Sequence, residues 1–163
     1  ATADPLTTEL SMATFPDEMI ARLTGLEQLE TIVEGSHPGP TMATSLCFHL
    51  VAAEFGKATF EGQPNQNFMN PLGTVHGGWA ATILDSALGC AVHSTLLKGE
   101  RYATLELKVH LTRAILPDMP TLRAIGTIVH RGRQVATSDA QLLGEDDKVY
   151  AHGTTTCLIA PGP

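Results

Sequence analysis

One carboxylate is the only charged side chain in a long segment of the sequence. Asp85 is the only Asp, Glu, Lys or Arg between Gln63 and Leu97. Removing an isolated carboxylate from water costs several kcal/mol unless the group is hydrogen-bonded, paired or protonated. Burial also raises the pKa of a carboxyl group, which prepares it for proton transfer near neutral pH. Asp85 is therefore a candidate catalytic base, with a structural hydrogen bond to a distant backbone group as the alternative.

Glycines and a histidine precede this carboxylate. The run GTVHGG occupies residues 73–78, where His76 and the two glycines after it would open a helix. The free N–H groups of a first helical turn can stabilise a developing oxyanion, and glycine lets a ligand approach the backbone closely. Close packing of a helix against a sheet would explain the same glycines. His76 could equally cap the helix, and Asn70 before Pro71 could simply start a turn.

Other catalytic and ligand-binding patterns are missing from the sequence. The histidines include no His-x-x-x-His pair, and the pairs Cys47/His49 and Cys90/His93 have no second pair at zinc-finger spacing. Neither of the common phosphate-binding glycine loops occurs, nor does the Gly-x-Ser-x-Gly elbow of serine hydrolases. The sequence therefore predicts an active site without a metal and without a bound cofactor.

The elements that must position these residues are one buried helix and two groups of strands. Residues 76–96 contain no Pro and are mostly small or apolar around the whole circumference, which is typical of a buried helix. Apolar and polar residues alternate from Ala103 to Thr112, which predicts a strand with one solvent-exposed face. The other predicted strands span residues 41–53, 57–61, 122–130, 134–143 and 149–159. We expect an α+β fold in which an antiparallel sheet wraps around one long central helix, with the last four strands forming a meander.

A helical segment precedes the sheet. Pro16 and the two acids after it favour a helix start, and Gly25 could divide this helix into two pieces. The sequence GSHPGP at residues 35–40 is the clearest linker. These features divide the chain into a helical lead-in, residues 1–40, and one main domain, residues 41–163.

The composition favours an oligomer in a reducing compartment. The 163 residues include 10 Lys and Arg against 17 Asp and Glu, a net charge of −7 that argues against nucleic-acid binding. Only 17% of the residues are charged, which suggests that another subunit covers part of the surface. Three separated cysteines do not indicate a disulfide scaffold. No secretory signal or transmembrane segment is recognisable, so we expect a soluble, cytoplasmic protein that does not bind membranes.

The loop and the helix together carry a family resemblance. Their spacing, N-x-x-G-x-x-H-G-G-x(6)-D, resembles the signature of hotdog-fold acyl-CoA thioesterases of the phenylacetate-degradation (PaaI) type, and weaker similarity extends over residues 40–160. The matching residues are Asn70, Gly73, His76, Gly77, Gly78 and Asp85. The resemblance implies the hotdog fold and hydrolysis of an acyl-CoA thioester, with an aryl or arylacetyl group favoured.

The same resemblance implies roles for five residues. The Gly77 N–H would polarise the thioester carbonyl, Asn70 would help to hold the reacting groups, and His76 would lie beside the thioester. Asp85 would act as general base on water or as the nucleophile. Thr104 matches the position of a Ser or Thr that orients the water.

The separation of Gly77 and Asp85 constrains such a site. They lie eight positions apart on one helix, about 12 Å at 1.5 Å per residue. A base and an oxyanion donor must both lie about 3 Å from one reaction centre. We therefore expect Asp85 and Thr104 of one subunit to complete the site of another, which supplies Asn70, His76 and Gly77. The chain should be at least a dimer, and we expect a tetramer.

The substrate that the resemblance implies requires a basic patch, because coenzyme A is polyanionic and the chain is net negative. Arg131 and Arg133, in a predicted hairpin turn, are the first choice for the phosphates, although an ordinary solvated turn explains them equally well. The candidate substrate-binding residues are Gly78, Lys98, Arg101, Arg113, Arg131 and Arg133.

Two other functions share this fold. A hotdog enoyl-CoA hydratase or dehydratase uses a G-D-x-N-P-x-H motif, but here Phe68 stands at the Asp position and Gly73 at the His position. An acyl-CoA-binding sensor would usually bring a DNA-binding segment, which the acidic lead-in does not resemble. Release of free CoA distinguishes hydrolysis from both alternatives.

Overall fold

The computed structural model describes residues 13–161; residues 1–12, the start of the predicted lead-in, and residues 162–163 lie outside the described residues. The elements in chain order are α1 (Asp17–Arg22), α2 (Gly25–Val33), α3 (Thr41–Ser45), β1 (Phe48–Glu54), β2 (Lys57–Gly62), α4 (Gly77–His93), β3 (Glu100–Leu111), β4 (Leu122–Arg131), β5 (Val135–Leu143) and β6 (Val149–Pro161). A 3-10 turn, Gln66–Phe68, precedes α4. Among the described residues, none of these helices is long and apolar enough to cross a membrane.

Helix α4 is buried, as its all-round apolar sequence predicts. Ile83, Leu84, Ala87 and Leu88 are fully buried, and Phe60 of β2 belongs to the same core. Full burial of a Leu or Ile side chain contributes about 1.5–3 kcal/mol. The sheet has the strand order β1-β2-β4-β5-β6-β3, with every neighbour antiparallel. The expected α+β hotdog architecture is confirmed.

Strand β3 lies at an edge of the sheet and not beside β4. It pairs along its whole length with β6, so the predicted four-stranded meander is wrong and only β4, β5 and β6 follow one another. The connection between β3 and β4 contains Pro117 and Pro120 and is too long for a tight hairpin. Nothing in the connection therefore forces β3 to pair with β4.

A β-bulge changes which residues of β3 face α4. Thr104 pairs with Cys157, but the next paired residue is Glu106, so Leu105 is the extra residue. Side chains alternate along a regular strand, so the bulge brings Thr104 and Leu107 onto the same, helix-facing side. The register therefore places Thr104 on the helix-facing side, opposite to the predicted alternation, and Thr104 is exposed in the single chain, as the alternation predicted.

The segment after the linker begins as a helix. The prediction of one strand over residues 41–53 is wrong for its first part, because α3 lies there and β1 begins only at Phe48. Pro40 immediately precedes α3, where its fixed φ suits a helix start. Cys47 then takes a left-handed backbone conformation, φ 56°, and turns the chain into β1.

The lead-in forms two helices, with the break just before Gly25. Thr24 and Glu27 form a reciprocal cap of α2: Thr24 Oγ1 accepts from the Glu27 N–H (3.3 Å) and Glu27 Oε2 accepts from the Thr24 N–H (2.7 Å). Helix α2 packs against the end of α4, where His93 Nε2 donates to Gln28 Oε1 at 2.9 Å. Burial lowers the pKa of His93 to about 4, so this ring is neutral.

Candidate active site

His76 caps the N terminus of α4. Its Nδ1 accepts a hydrogen bond from the Gly78 N–H at 2.9 Å, and its carbonyl oxygen accepts from the Trp79 N–H at 3.0 Å. The His76 N–H donates to the Phe68 carbonyl oxygen at 2.7 Å. Because Nδ1 is the acceptor, the neutral ring carries its proton on Nε2. The capping role considered for His76 is therefore present, and Nε2–H remains a donor.

Each of the two glycines after His76 has a close side-chain neighbour. A Cβ on Gly77 would lie 2.5 Å from Leu111 Cδ1, and a Cβ on Gly78 would lie 3.0 Å from His76 Nδ1. Within residues 13–161, no acceptor takes the Gly77 N–H, the first of the helix. This N–H lies at the positive end of the helix dipole, where a developing oxyanion is stabilised.

Asn70 is engaged in its own loop. Its Oδ1 accepts from the N–H groups of Leu72 (2.9 Å) and Thr74 (3.3 Å), and its Nδ2 donates to Thr74 Oγ1 (2.7 Å). Gly73 adopts φ 91°, a conformation that glycine takes without strain. The turn considered for Asn70 and Pro71 is thus observed, and the amide of Asn70 shapes the loop in front of α4.

A cavity of about 270 Å³ opens between this loop, the start of α4 and the end of β3. Three residues predicted for the site, Asn70, His76 and Gly77, line it together. Arg113 lines it as well, with its guanidinium carbon 5.7 Å from the centre of the Tyr150 ring. One chain therefore supplies an oxyanion donor, a histidine and a cation to one cavity.

Asp85 and Thr104 do not line this cavity. Asp85 is half-buried on α4, and burial raises the pKa of its carboxyl group. No hydrogen bond or ion pair from residues 13–161 acts against that shift. The structural alternative, a hydrogen bond from Asp85 to a distant group, is therefore not observed in this part of the chain.

Asp85 and Thr104 lie elsewhere in the fold, and both are near Cys157. Thr104 Oγ1 lies 4.0 Å from Cys157 Sγ. Burial raises the pKa of the Cys157 thiol, and the negative charge of Asp85 adds to this increase. Burial likewise raises the pKa of Cys90 to about 12, again with a contribution from Asp85. The carboxylate and the hydroxyl predicted to act together thus both lie in the neighbourhood of the buried Cys157 thiol.

Two of the basic residues predicted to bind coenzyme A form ion pairs within the chain. Arg131 forms an ion pair with Glu100 (2.5 Å) and its Nε donates to Thr95 Oγ1 (3.1 Å), with its side chain 21% exposed. These contacts join β4 to β3 and engage the arginine that was a first choice for the phosphates, a role that stays a prediction. Arg101 forms an ion pair with Asp17 of the lead-in.

The remaining basic candidates differ in position. Lys98 and Arg133 are exposed and lie away from the cavity, whereas Arg113 lines it. Leu111, two residues before Arg113, lies against Gly77 and lines the same cavity. The sequence offered no signal for that contact, since it did not reveal where the end of β3 lies. Within residues 13–161, no three His, Cys, Asp or Glu side chains meet in an arrangement that could bind a metal ion.

Comparison with known proteins agrees with the signature. The sequence profile of the thioesterase superfamily matches residues 72–151, a range that includes His76, Gly77, Asp85 and Thr104. A comparison with curated proteins finds no significant match.

Solved structures with the same fold include three with related descriptions. A phenylacetic acid degradation-related protein of Ralstonia eutropha JMP134 is 28% identical, with 79% of this chain and 97% of that chain covered and a TM-score of 0.71. The PaaI protein of the E. coli phenylacetic acid degradation operon is 17% identical, with 85% and 98% covered and a TM-score of 0.75. A hypothetical thioesterase of Streptococcus pneumoniae TIGR4, solved with coenzyme A, is 22% identical, with 74% and 92% covered and a TM-score of 0.66.

The fold, the signature and the family match agree. The loop and helix that carry the signature lie almost entirely within the matched range. Residues 72–151 therefore belong to the thioesterase superfamily, whose chemistry is the hydrolysis of thioesters, and they lie in a hotdog fold.

Proposed function

We propose that the protein hydrolyses an acyl-CoA thioester to a free acid and CoA. The observation that carries this proposal is the cavity that Gly77, His76 and Arg113 line together. A free helical N–H suits a thioester carbonyl, and a guanidinium suits the anionic groups of coenzyme A. The coenzyme A bound to the S. pneumoniae relative supports the same ligand class.

The proposed reaction is general-base hydrolysis. The thioester carbonyl oxygen accepts a hydrogen bond from the Gly77 N–H, which stabilises the charge that develops on it. Asp85 takes a proton from a water molecule that the Thr104 hydroxyl orients. The water oxygen bonds to the carbonyl carbon, the C–S bond breaks, and the CoA thiolate leaves and receives the proton. The raised pKa of Asp85 supports the base role, because a base is most effective when its pKa approaches the working pH.

We propose that the complete site forms between two subunits. Asp85 lies about two helical turns, or 12 Å, from Gly77, and the cavity at Gly77 does not reach it. Ala81 stands midway between the two. A two-fold axis beside Ala81, with the two α4 helices antiparallel, would bring Gly77 of one subunit next to Asp85 of the other.

The free edge of the sheet supports this dimer. Leu105, Leu107 and Leu111 of β3 are 62%, 40% and 58% exposed in the single chain. An apolar edge strand offers unpaired backbone groups and apolar side chains to a second chain. We propose that a second copy covers β3, and that two such dimers form a tetramer. The small fraction of charged residues, 17%, agrees with an extensively covered surface.

The test is a free-thiol assay on purified protein with a panel of acyl-CoAs that includes phenylacetyl-CoA. We expect release of one thiol for each acid formed, unchanged after dialysis against a strong chelator. Tight binding without thiol release would favour the acyl-CoA sensor, and addition of water to an enoyl-CoA without thiol release would favour the hydratase. Loss of activity on chelation that zinc or manganese restores would contradict the proposed metal-free reaction.

A further inference from the structure

We infer that the substrate lies across the start of α4, with its acyl chain in an apolar groove and its CoA part beside Arg113. This inference rests on the proposed function and adds a substrate class to it: straight acyl chains of medium length. The carbonyl would then lie at the first helical turn, between the two spaces.

The groove lies next to His76 and Gly78 and has a volume of about 410 Å³. None of the described residues that line it is Asp, Glu, Lys or Arg. Apolar side chains form most of its wall: Met42, Leu46, Phe68, Met69 and Trp79. Such a surface, beside the proposed reaction centre, favours a long apolar group of the substrate over a charged one.

Hydrogen bonds and ring stacking hold the groove open. Trp79 Nε1 donates to the Leu46 carbonyl oxygen at 2.8 Å, which fixes the end of α3 to α4. The rings of Phe68 and Trp79 are stacked, with centroids 6.4 Å apart and planes inclined by 17°. The His76 N–H holds the backbone of Phe68 at 2.7 Å. The groove is therefore preformed, which reduces the ordering cost of binding a flexible chain.

His76 and its two glycines divide the groove from the Arg113 cavity. His76 lines both spaces, whereas Gly77 lines only the cavity and Gly78 only the groove. A thioester carbon carries two substituents of opposite character, an apolar acyl chain and the polyanionic CoA. With the carbonyl oxygen at the Gly77 N–H, the Arg113 guanidinium attracts the anionic CoA part of the substrate. The acyl chain then lies in the uncharged groove.

The size of the groove suits a chain of several methylenes. Its volume of about 410 Å³ is many times the roughly 10–15 Å³ of cavity space that one water molecule needs. A phenylacetyl group leaves part of this space without contacts, and unfilled apolar space forfeits dispersion energy. Met42 and Met69 can adapt to a flexible chain because their side chains are unbranched.

The first experiment measures kcat/KM for butanoyl-, octanoyl-, decanoyl- and phenylacetyl-CoA. A fully buried methylene contributes about 0.8 kcal/mol, or about fourfold, and roughly half of that free energy is expected in an open groove. Decanoyl-CoA should therefore exceed butanoyl-CoA by at least about tenfold. Octanoyl-CoA should exceed phenylacetyl-CoA, which has the same number of acyl carbons. Equal values for butanoyl- and decanoyl-CoA, or preference for phenylacetyl-CoA over octanoyl-CoA, would overturn the inference.

The second experiment narrows the groove. Met42 is 58% exposed at its rim, so Met42→Trp adds bulk there without entering the core. The ratio of kcat/KM for decanoyl- over butanoyl-CoA should fall by at least about fivefold, because fewer methylenes are buried. Leu97→Trp is the matched control, since Leu97 is 65% exposed beyond the far end of α4, and it should keep the wild-type ratio.

The outcomes separate the two proposals. An unchanged ratio in Met42→Trp, with turnover intact, overturns the groove assignment and leaves acyl-CoA hydrolysis standing. Absence of thiol release from every acyl-CoA in the wild type overturns the proposed function itself.

Discussion

His76 Nδ1 accepts a hydrogen bond from the Gly78 N–H at 2.9 Å, so the histidine that lines the cavity is also the cap of α4. The bond fixes the ring and directs its remaining donor, Nε2–H, away from the helix backbone. A loss of activity on mutation of His76 therefore has two possible causes, loss of the cap and loss of the donor, which variants can separate.

The first prediction compares His76→Ala with His76→Asn. Alanine removes both the cap and the donor, whereas Asn is a strong N-cap but lacks the imidazole N–H. His76→Ala should lower the free energy of unfolding by about 1 kcal/mol and His76→Asn by less, as measured by denaturant titration. Both should lower kcat by at least about tenfold. Wild-type turnover in His76→Asn would show that His76 acts only as a cap.

The second prediction concerns the reaction of Asp85. Asp85→Asn keeps the shape of the side chain but removes the base, so kcat should fall by at least about 10² while acyl-CoA binding is retained. In the wild type, activity should rise with pH as Asp85 ionises. Because burial raises the pKa of Asp85, this rise should occur at a pH above 3.8, the ordinary pKa of an aspartate carboxyl group. Turnover of Asp85→Asn within a few-fold of wild type would exclude the carboxylate as base or nucleophile.

The third prediction concerns stability and the same substitution. Asp85 has a higher pKa in the folded protein than in the unfolded chain, so the folded state retains its proton more strongly. Ionisation then favours unfolding as the pH rises from 3.8 through the folded pKa. Asp85→Asn should raise Tm at neutral pH. This increase in Tm should disappear at pH values below the pKa of Asp85 in the unfolded chain. A lower Tm at neutral pH would indicate that the carboxylate stabilises the fold.

The fourth prediction assigns Arg113 to coenzyme A. Arg113→Gln should raise KM for an acyl-CoA by about tenfold or more, because a hydrogen bond between charged groups contributes about 1.5–3 kcal/mol. The KM for the corresponding acyl N-acetylcysteamine thioester, which lacks the nucleotide, should change little. Arg133→Gln is the control, because Arg133 is exposed away from the cavity. Equal effects on both substrates would contradict the assignment.

Local patterns predicted the elements that carry the signature. Helix α4 could be predicted because an apolar circumference identifies a buried helix without knowledge of its partners. The spacing of His76, Gly77 and Asp85 within and before that helix is likewise a local property. The fold and the location of one half of the site could thus be read from neighbouring residues.

Long-range contacts could not be predicted in the same way. The bulge at Leu105 depends on the register of β3 against β6, and it alone brings Thr104 to the helix-facing side. The ion pair between Arg131 and Glu100 joins two strands that are distant in the sequence. The sequence alone did not reveal this pair, so Arg131 was predicted to bind a phosphate group. Arg113 lines the cavity together with Leu111 and Gly77. Leu111 lies against Gly77, which is far away in the sequence, so this arrangement could not be predicted either.

The central claim is that each active site uses two subunits, and subunit mixing tests it most directly. Asn70→Ala disrupts the loop of its own chain, and Asp85→Asn removes the base, so each variant alone should be nearly inactive. The two are unfolded together in equal amounts and refolded, with subunit exchange verified by native mass spectrometry. Half of the dimers should then be mixed, and one site in each mixed dimer should receive two intact halves, so about a quarter of wild-type activity should return. Verified exchange without any recovery would mean that Asn70 and Asp85 serve a site within one chain, and would contradict the account.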